Sequence, residues 1–278
     1  MIVCAIGYGY LSRFIFQRLC RLGITGLGIT SKEDYINDLD NVRIFKRDKI
    51  KNALSFSSHL LITAPPQEHG CEILDNYSKN ILHSNIRSIL YISTTGVYGN
   101  HKGAWVNENS QLNATFDKDK KRLKAENRWK YFCNKNKINL NIIRISGFYG
   151  PLRIKNFEDG KVKIIEKEGH FFSRVHILDA ARIISKIILQ SRTNEIWNIS
   201  DDKPSSRAEF LLEIIKIKSI KKYEVISYKN YLKTKPESMK KYWLNNKRIS
   251  NQKVKKFFKY QFIFPTYKNG LKNLKEYL

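Results

Sequence analysis

Two kinds of apolar pattern alternate along the first half of the chain. Ile2 to Ile6 is a short, almost uninterrupted apolar run, which predicts a buried strand. From Leu11 to Leu22 the apolar residues return at helical spacing, with Phe14, Ile15, Leu19 and Leu22 on one face and Arg13, Gln17 and Arg21 on the other. Further runs predict strands over residues 26–29, 42–45, 59–63, 88–93 and 139–145, and helices fit residues 71–83 and 118–136. Strands recurring at this spacing imply a parallel sheet with crossover helices. The breaker cluster Gly147-Phe148-Tyr149-Gly150-Pro151 marks the departure from this region, so a first domain is expected over residues 1–150. Beyond it the pattern gives a helix over 178–189, a strand over 196–199 and a lysine-rich mixed remainder. These make residues 151–278 a small α+β region with segments returning to the sheet.

Between the first strand and the first helix stands Gly7-Tyr8-Gly9-Tyr10-Leu11-Ser12. A dinucleotide pyrophosphate needs a glycine where the strand turns, a second where backbone approaches phosphate, and a small third residue where helix meets strand. Gly7, Gly9 and Ser12 fill those places. The helix that starts at Tyr10 and Leu11 points its N–H groups and positive dipole end at the anion. Paired glycines also occur in purely structural turns; the strand-turn-helix context favours the nucleotide, and with it a Rossmann-type doubly wound α/β domain.

The ends of the other strands add to this picture. After the second comes Thr30-Ser31-Lys32, where an acid would hold an adenosine ribose. A hydroxyl and a cation, Ser31 and Lys32, suit a 2′-phosphate, so NADP is favoured over NAD; an ordinary polar loop is the alternative. Asp48 follows the third strand and is placed to meet the adenine, unless it is simply a solvated acid. The fourth strand ends in Thr63-Ala64-Pro65-Pro66, a rigid wall beside the cofactor or merely a strand stop.

Composition narrows the class. With 278 residues and 42% hydrophobic content the chain can bury a full core. No basic segment precedes an apolar one at the start and no apolar run nears the roughly 20 residues of a membrane span, so the cytoplasm is the expected compartment. Cys4, Cys20, Cys71 and Cys133 are scattered without a CxxC pair, which predicts neither a disulfide framework nor a zinc site. The net charge of +26 would suggest nucleic acid. However, 36 of the 51 cations are lysines, as AT-rich coding drift produces on solvated faces, and the excess is graded from +3 over residues 1–100 to +13 over residues 201–278, away from the nucleotide motif. The runs 216–222 and 247–259 are therefore read as surface segments, with a small-molecule partner expected and no nucleic acid.

The fifth strand delivers Ser93-Thr94-Thr95-Gly96-Val97-Tyr98-Gly99. Together with residues 144–151 (RISGFYGP), 174–179 (RVHILD) and 197–204 (WNISDDKP), in that order, it resembles the extended short-chain dehydrogenase/reductases, and more closely the atypical NAD(P)-dependent epimerase/dehydratase branch. The resemblance implies that Thr94 is the family's catalytic Ser/Thr, hydrogen-bonded to the reacting oxygen. It also implies a YxxxK pair on the next helix, whose lysine holds the nicotinamide ribose and lowers the phenol's pKa. Aligning Arg122-Leu123-Lys124-Ala125-Glu126 with the family's pattern puts Arg122 at the lysine and Lys118 at the tyrosine, so the phenol is missing. YxxxK does occur at Tyr98/Lys102, Tyr131/Lys135 and Tyr231/Lys235, but 15 Tyr and 36 Lys in this length give about two such pairs by chance. Tyr98, at the mouth of the strand that carries Thr94, is the best substitute, with packing under the loop as its alternative role. Arg174 and His176 match the segment that lines the family's substrate cleft and suit an anionic ligand, although a strand histidine satisfied by backbone is as good a reading. Asp179 is expected to cap the helix that follows. The chain thus reads as an NADP-binding oxidoreductase or epimerase acting on a small molecule; the alternative is a non-catalytic NADP-responsive protein.

Overall fold

The computed structural model describes residues 1–32, 39–68, 70–154, 162–190, 192–234, 236 and 243–274. The chain begins β1 (Ile2–Ile6), α1 (Tyr10–Cys20), β2 (Thr25–Thr30), β3 (Val42–Lys46), α2 (Ile50–Phe56), β4 (His59–Ile62), α3 (Glu72–Leu82) and β5 (Ser88–Thr94). It continues through β6 (Trp105–Val106), α4 (Asp117–Asn136), β7 (Asn139–Ile145), β8 (Gly147–Tyr149), β9 (Val162–Glu166), β10 (Arg174–His176), α5 (Ile177–Leu189) and β11 (Ile196–Ile199). Last come α6 (Arg207–Lys218), β12 (Tyr223–Ser227), α7 (Tyr228–Thr234), β13 (Arg248–Ile249) and short helices over Gln252–Phe258 and Tyr267–Asn273.

Seven strands form one sheet in the order β11-β7-β5-β4-β1-β2-β3, the doubly wound α/β arrangement that the sequence predicts. The registered pairs β3/β2, β2/β1, β1/β4 and β4/β5 are all parallel. The order in which successive strands are laid down reverses between β1 and β4, the kind of place where ligands of such sheets bind. The central strands are apolar because helices cover both faces: β4 and nearly all of β5 are buried. Helix α1 stops at Cys20, two residues short of the predicted end, which leaves Leu22 exposed and hands the buried face to Leu11, Ile15, Phe16 and Leu19. Among the elements without a strong period in the sequence is α2, only two turns long.

Two compact units emerge, and they interleave in sequence. One comprises Met1–Val97, Thr115–Arg144 and Ala181–Trp197; the other comprises Tyr98–Ala114, Ile145–Ala180 and Asn198–Leu278. The second unit is built from two-stranded pairs β8/β10, β9/β12 and β6/β13, all parallel, with a core around Val162, Ile164, Leu211, Ile214 and Leu271. Its helix α6 opens with a capping box, Ser206 accepting from Glu209 N while the Glu209 carboxylate accepts from Ser206 N. The lysine-rich run 216–222 crosses the end of α6, where Ser219 adopts a left-handed conformation. No helix among the described residues is long and apolar enough to cross a membrane.

Candidate active site

The turn after β1 is built around Gly7. Its φ of +93° is left-handed, and a Cβ there would stand 2.5 Å from Ala64 N, so only glycine fits. Thr63 N and Ala64 N both donate to Ile6 O at 3.0 Å, which ties the exit of β4 to the end of β1. The Thr63 hydroxyl donates to Gly7 O at 2.6 Å, so the 3.2 Å contact between the Ser12 and Thr63 hydroxyls has Ser12 as donor. A serine therefore serves in the third place of the motif: it is buried and it braces the turn.

Gly9 behaves differently. It is the N-cap of α1 in extended backbone, and a Cβ there would meet nothing nearer than Gly7 O at 3.7 Å. No side chain caps the helix and its first turn holds no acid. An eleven-residue helix whose amino end lacks both is fitted to receive an anion at Gly9, Tyr10, Leu11 and Ser12. Ser31 and Lys32 stand exposed just past β2, with Lys32 N donating to the Thr30 hydroxyl at 3.2 Å. Asp48 is exposed on a short 3₁₀ turn after β3, 3.3 Å from Lys49. Ala64 is half-buried and Pro65 exposed.

At the end of β5, Thr94 is half-buried and its hydroxyl oxygen accepts from Gly96 N at 3.0 Å. That leaves the hydroxyl proton to be donated elsewhere. Arg122, from α4, donates to Ile92 O at 2.7 Å and lies over the Tyr91 ring, so the fold brings Thr94 and Arg122 to one strand end. Burial pushes the Tyr91 phenol up to about 12 while Arg122 opposes the shift. Lys118, at the phenol's place in the motif, is exposed. Its neighbour Asp119 is buried against Gly96, where any Cβ would strike the carboxylate. Sequence reading missed Asp119. It also missed the buried pair of Glu126 and Arg144, 2.7 Å apart, with Ser93 donating to Glu126; the Arg122–Glu126 pattern and the arginine of β7 were its signal.

Four of the residues singled out in the sequence are engaged within the protein itself. Tyr98 is fully buried and its hydroxyl donates to Asn198 Oδ1 at 2.8 Å, so in this conformation the phenol serves the packing of the second unit. Arg174 faces inward: Nη1 donates to Ser205 Oγ at 2.8 Å and to Phe172 O at 3.1 Å, with the guanidinium stacked 4.3 Å from the Phe210 ring. His176 has no exposed surface, accepts from Leu178 N at 3.2 Å through Nδ1, and packs between Tyr149 and Phe264. Burial pushes its pKa down to about 4, so the ring is neutral and offers no charge to an anion. Asp179 lies inside α5 and is no cap. Its carboxylate accepts from Tyr260 OH, Ile263 N and Phe264 N, which fastens the final segment of the chain. Tyr131 is exposed on α4, and Lys235 of the Tyr231 pair lies outside the described residues. Among the described residues no group of His, Cys, Asp or Glu is placed to hold a metal ion.

The sheet order and the glycine turn at its reversal make a doubly wound α/β fold, and solved structures of sugar-nucleotide epimerases and dehydratases share it. A conserved protein of unknown function from Silicibacter pomeroyi has this fold, with a TM-score of 0.91 and 24% identity over 99% of this chain and 98% of that one. So has UDP-glucuronic acid 4-epimerase from Bacillus cereus in complex with NAD, with a TM-score of 0.75 and 16% identity over 100% of this chain and 98% of that one. A third is dTDP-glucose 4,6-dehydratase from Bacillus anthracis in complex with NAD, with a TM-score of 0.75 and 15% identity over 100% and 96%. No protein-family model matches the chain, and no curated protein sequence does.

Proposed function

We propose that the protein binds a nicotinamide dinucleotide at Gly7–Ser12 and works as a reductase or epimerase on a small molecule in the cytoplasm. The observation that carries this reading is the amino end of α1, uncapped, free of acid and open above Gly9, beside a turn that Thr63 and Ser12 hold rigid. Gly9, Tyr10, Leu11 and Ser12 would hold the pyrophosphate, with Thr63, Ala64 and Pro65 beside it and Asp48 near the adenine. Bound there, the cofactor supplies or accepts a hydride. Thr94 donates to the oxygen of the reacting carbon, and Arg122 holds the nicotinamide ribose in the place of the family's lysine. Ser31 and Lys32 favour a 2′-phosphate, hence NADP, whereas the two sugar-nucleotide enzymes of the same fold were crystallised with NAD. Substrates of the class those enzymes take, sugar nucleotides, are the first to try.

A second reading, a non-catalytic dinucleotide-responsive protein, is favoured by one observation: neither Lys118 nor the engaged Tyr98 offers a phenol to the site. Calorimetric titration of the full chain tests the cofactor. NADPH is expected to bind more tightly than NADH, Lys32→Glu to abolish the difference, and Gly9→Asp to lose both. Equal affinities overturn the NADP preference, and undiminished binding by a folded Gly9→Asp variant overturns the site.

A further inference from the structure

The first unit carries a hollow along the face of β1, β2 and β3 that α2 partly covers. It has a volume of about 520 Å³ and is lined by Ile2, Leu27, Phe45 and Phe56, with Arg43 and Lys49 among its polar members and no acid. The volume lies within the roughly 300–1,000 Å³ of small-molecule sites, and an apolar lining with few polar groups is their usual character. Ile2 and its register partner Thr25, another lining residue, are the first residues of β1 and β2, whereas Gly7 follows the last residue of β1. From these strand starts the lining runs along the face to Phe45, level with Ile29 and through it with Ile6, and to Lys49 beyond the end of β3.

The hollow exists because α2 is short. Leu27 and Arg43 are register partners, as are Ile29 and Phe45, so these side chains share one face of β2 and β3. Ile50, Ala53 and Leu54 of α2 cover that face toward β1 and join its core. Phe45 is only partly buried, and Phe56, the last residue of α2, is 70% exposed. An apolar strip thus lies beside an exposed arginine and beside Lys49, whose 3.3 Å contact with Asp48 is an exposed ion pair of little strength.

We propose that this hollow binds a medium-chain fatty acid, its alkyl chain over Leu27, Phe45 and Phe56 and its carboxylate at Arg43, with Lys49 second. The lining holds two cations, of which Lys49 is ion-paired with Asp48, and no acid of its own, which sets the sign of the headgroup, while the apolar face sets the tail. Calorimetric titration of the full chain with dodecanoate, below its micelle-forming concentration, tests this. Saturable 1:1 binding is expected, weakened tenfold or more by Arg43→Ser and by Phe56→Asp, with dodecanol binding wild type at least tenfold more weakly than dodecanoate. Both substituted side chains are exposed, so urea midpoints should stay at the wild-type value. Absence of saturable binding, binding indifferent to both substitutions, or equal binding of the alcohol overturns the proposal. So does a dimer in sedimentation that Phe56→Asp dissociates, because the hollow would then be covered by a second copy.

Discussion

A hydroxyl proton left to donate is what distinguishes Thr94 from the other polar groups named for this site. Gly96 N occupies its oxygen, Tyr98 is engaged by Asn198, and Arg122 is anchored on Ile92 O. On any sugar-nucleotide or carbonyl substrate that gives turnover, Thr94→Val should lower kcat/KM by about 10² or more, the usual cost of a positioned donor at developing charge. Wild-type activity in that variant would remove Thr94 from the chemistry. His176 illustrates a different consequence of burial. Its pKa is pushed below the ordinary value of 6.5 to about 4 in the folded chain, so between those values the unfolded chain binds more protons. Stability from this group is therefore full above about pH 6.5 and is lost as pH falls toward about 4. His59 and His170, also pushed down to about 4 by burial, act in the same direction. Urea unfolding across that window should show His176→Gln with a slope shallower than wild type by up to about 1.4 kcal/mol per pH unit, the equivalent of one proton. An unchanged slope would mean that the ring is solvated.

Helix α4 has two kinds of charged residue, and they predict opposite outcomes. Arg122 is half-buried and reaches the end of β5, whereas Glu126, one turn on, is wholly buried against Arg144 of β7. Removing one partner of a buried pair leaves the other charge uncompensated. Glu126→Ala should thus cost about 3–5 kcal/mol in urea unfolding. Arg122→Ala should leave the fold standing and weaken NADPH binding by about 1.5–3 kcal/mol, the range for a hydrogen bond to a charged group. If Arg122→Ala lowers the urea midpoint while the folded chain keeps its cofactor affinity, the arginine belongs to the packing of β5 and not to the site.

The whole molecule carries +26, and its distribution argues for solvation over recognition. Many lysines lie on exposed faces of α4 and on the run that ends α6. Retention on immobilised duplex DNA should match that of an equally basic control protein at every salt concentration; a distinctly steeper salt dependence would mean that several lysines converge on phosphates. By itself the sequence determined the sheet. Strands 139–145 and 196–199 fall where their apolar runs put them, because a strand covered on both faces is mostly apolar and so announces itself, even with Asn141, Arg144 and Asn198 buried in it. It also determined Gly7, since a left-handed turn against Ala64 admits only glycine. Tertiary structure alone decided the rest. Nothing local says that Tyr98 would meet Asn198, a hundred residues away, that Arg174 would turn toward Ser205, or that Asp179 would fasten residues 260–264. These are long-range hydrogen bonds of buried polar groups, and a polar side chain reads the same in the sequence whether its partner is a ligand or the far end of its own chain.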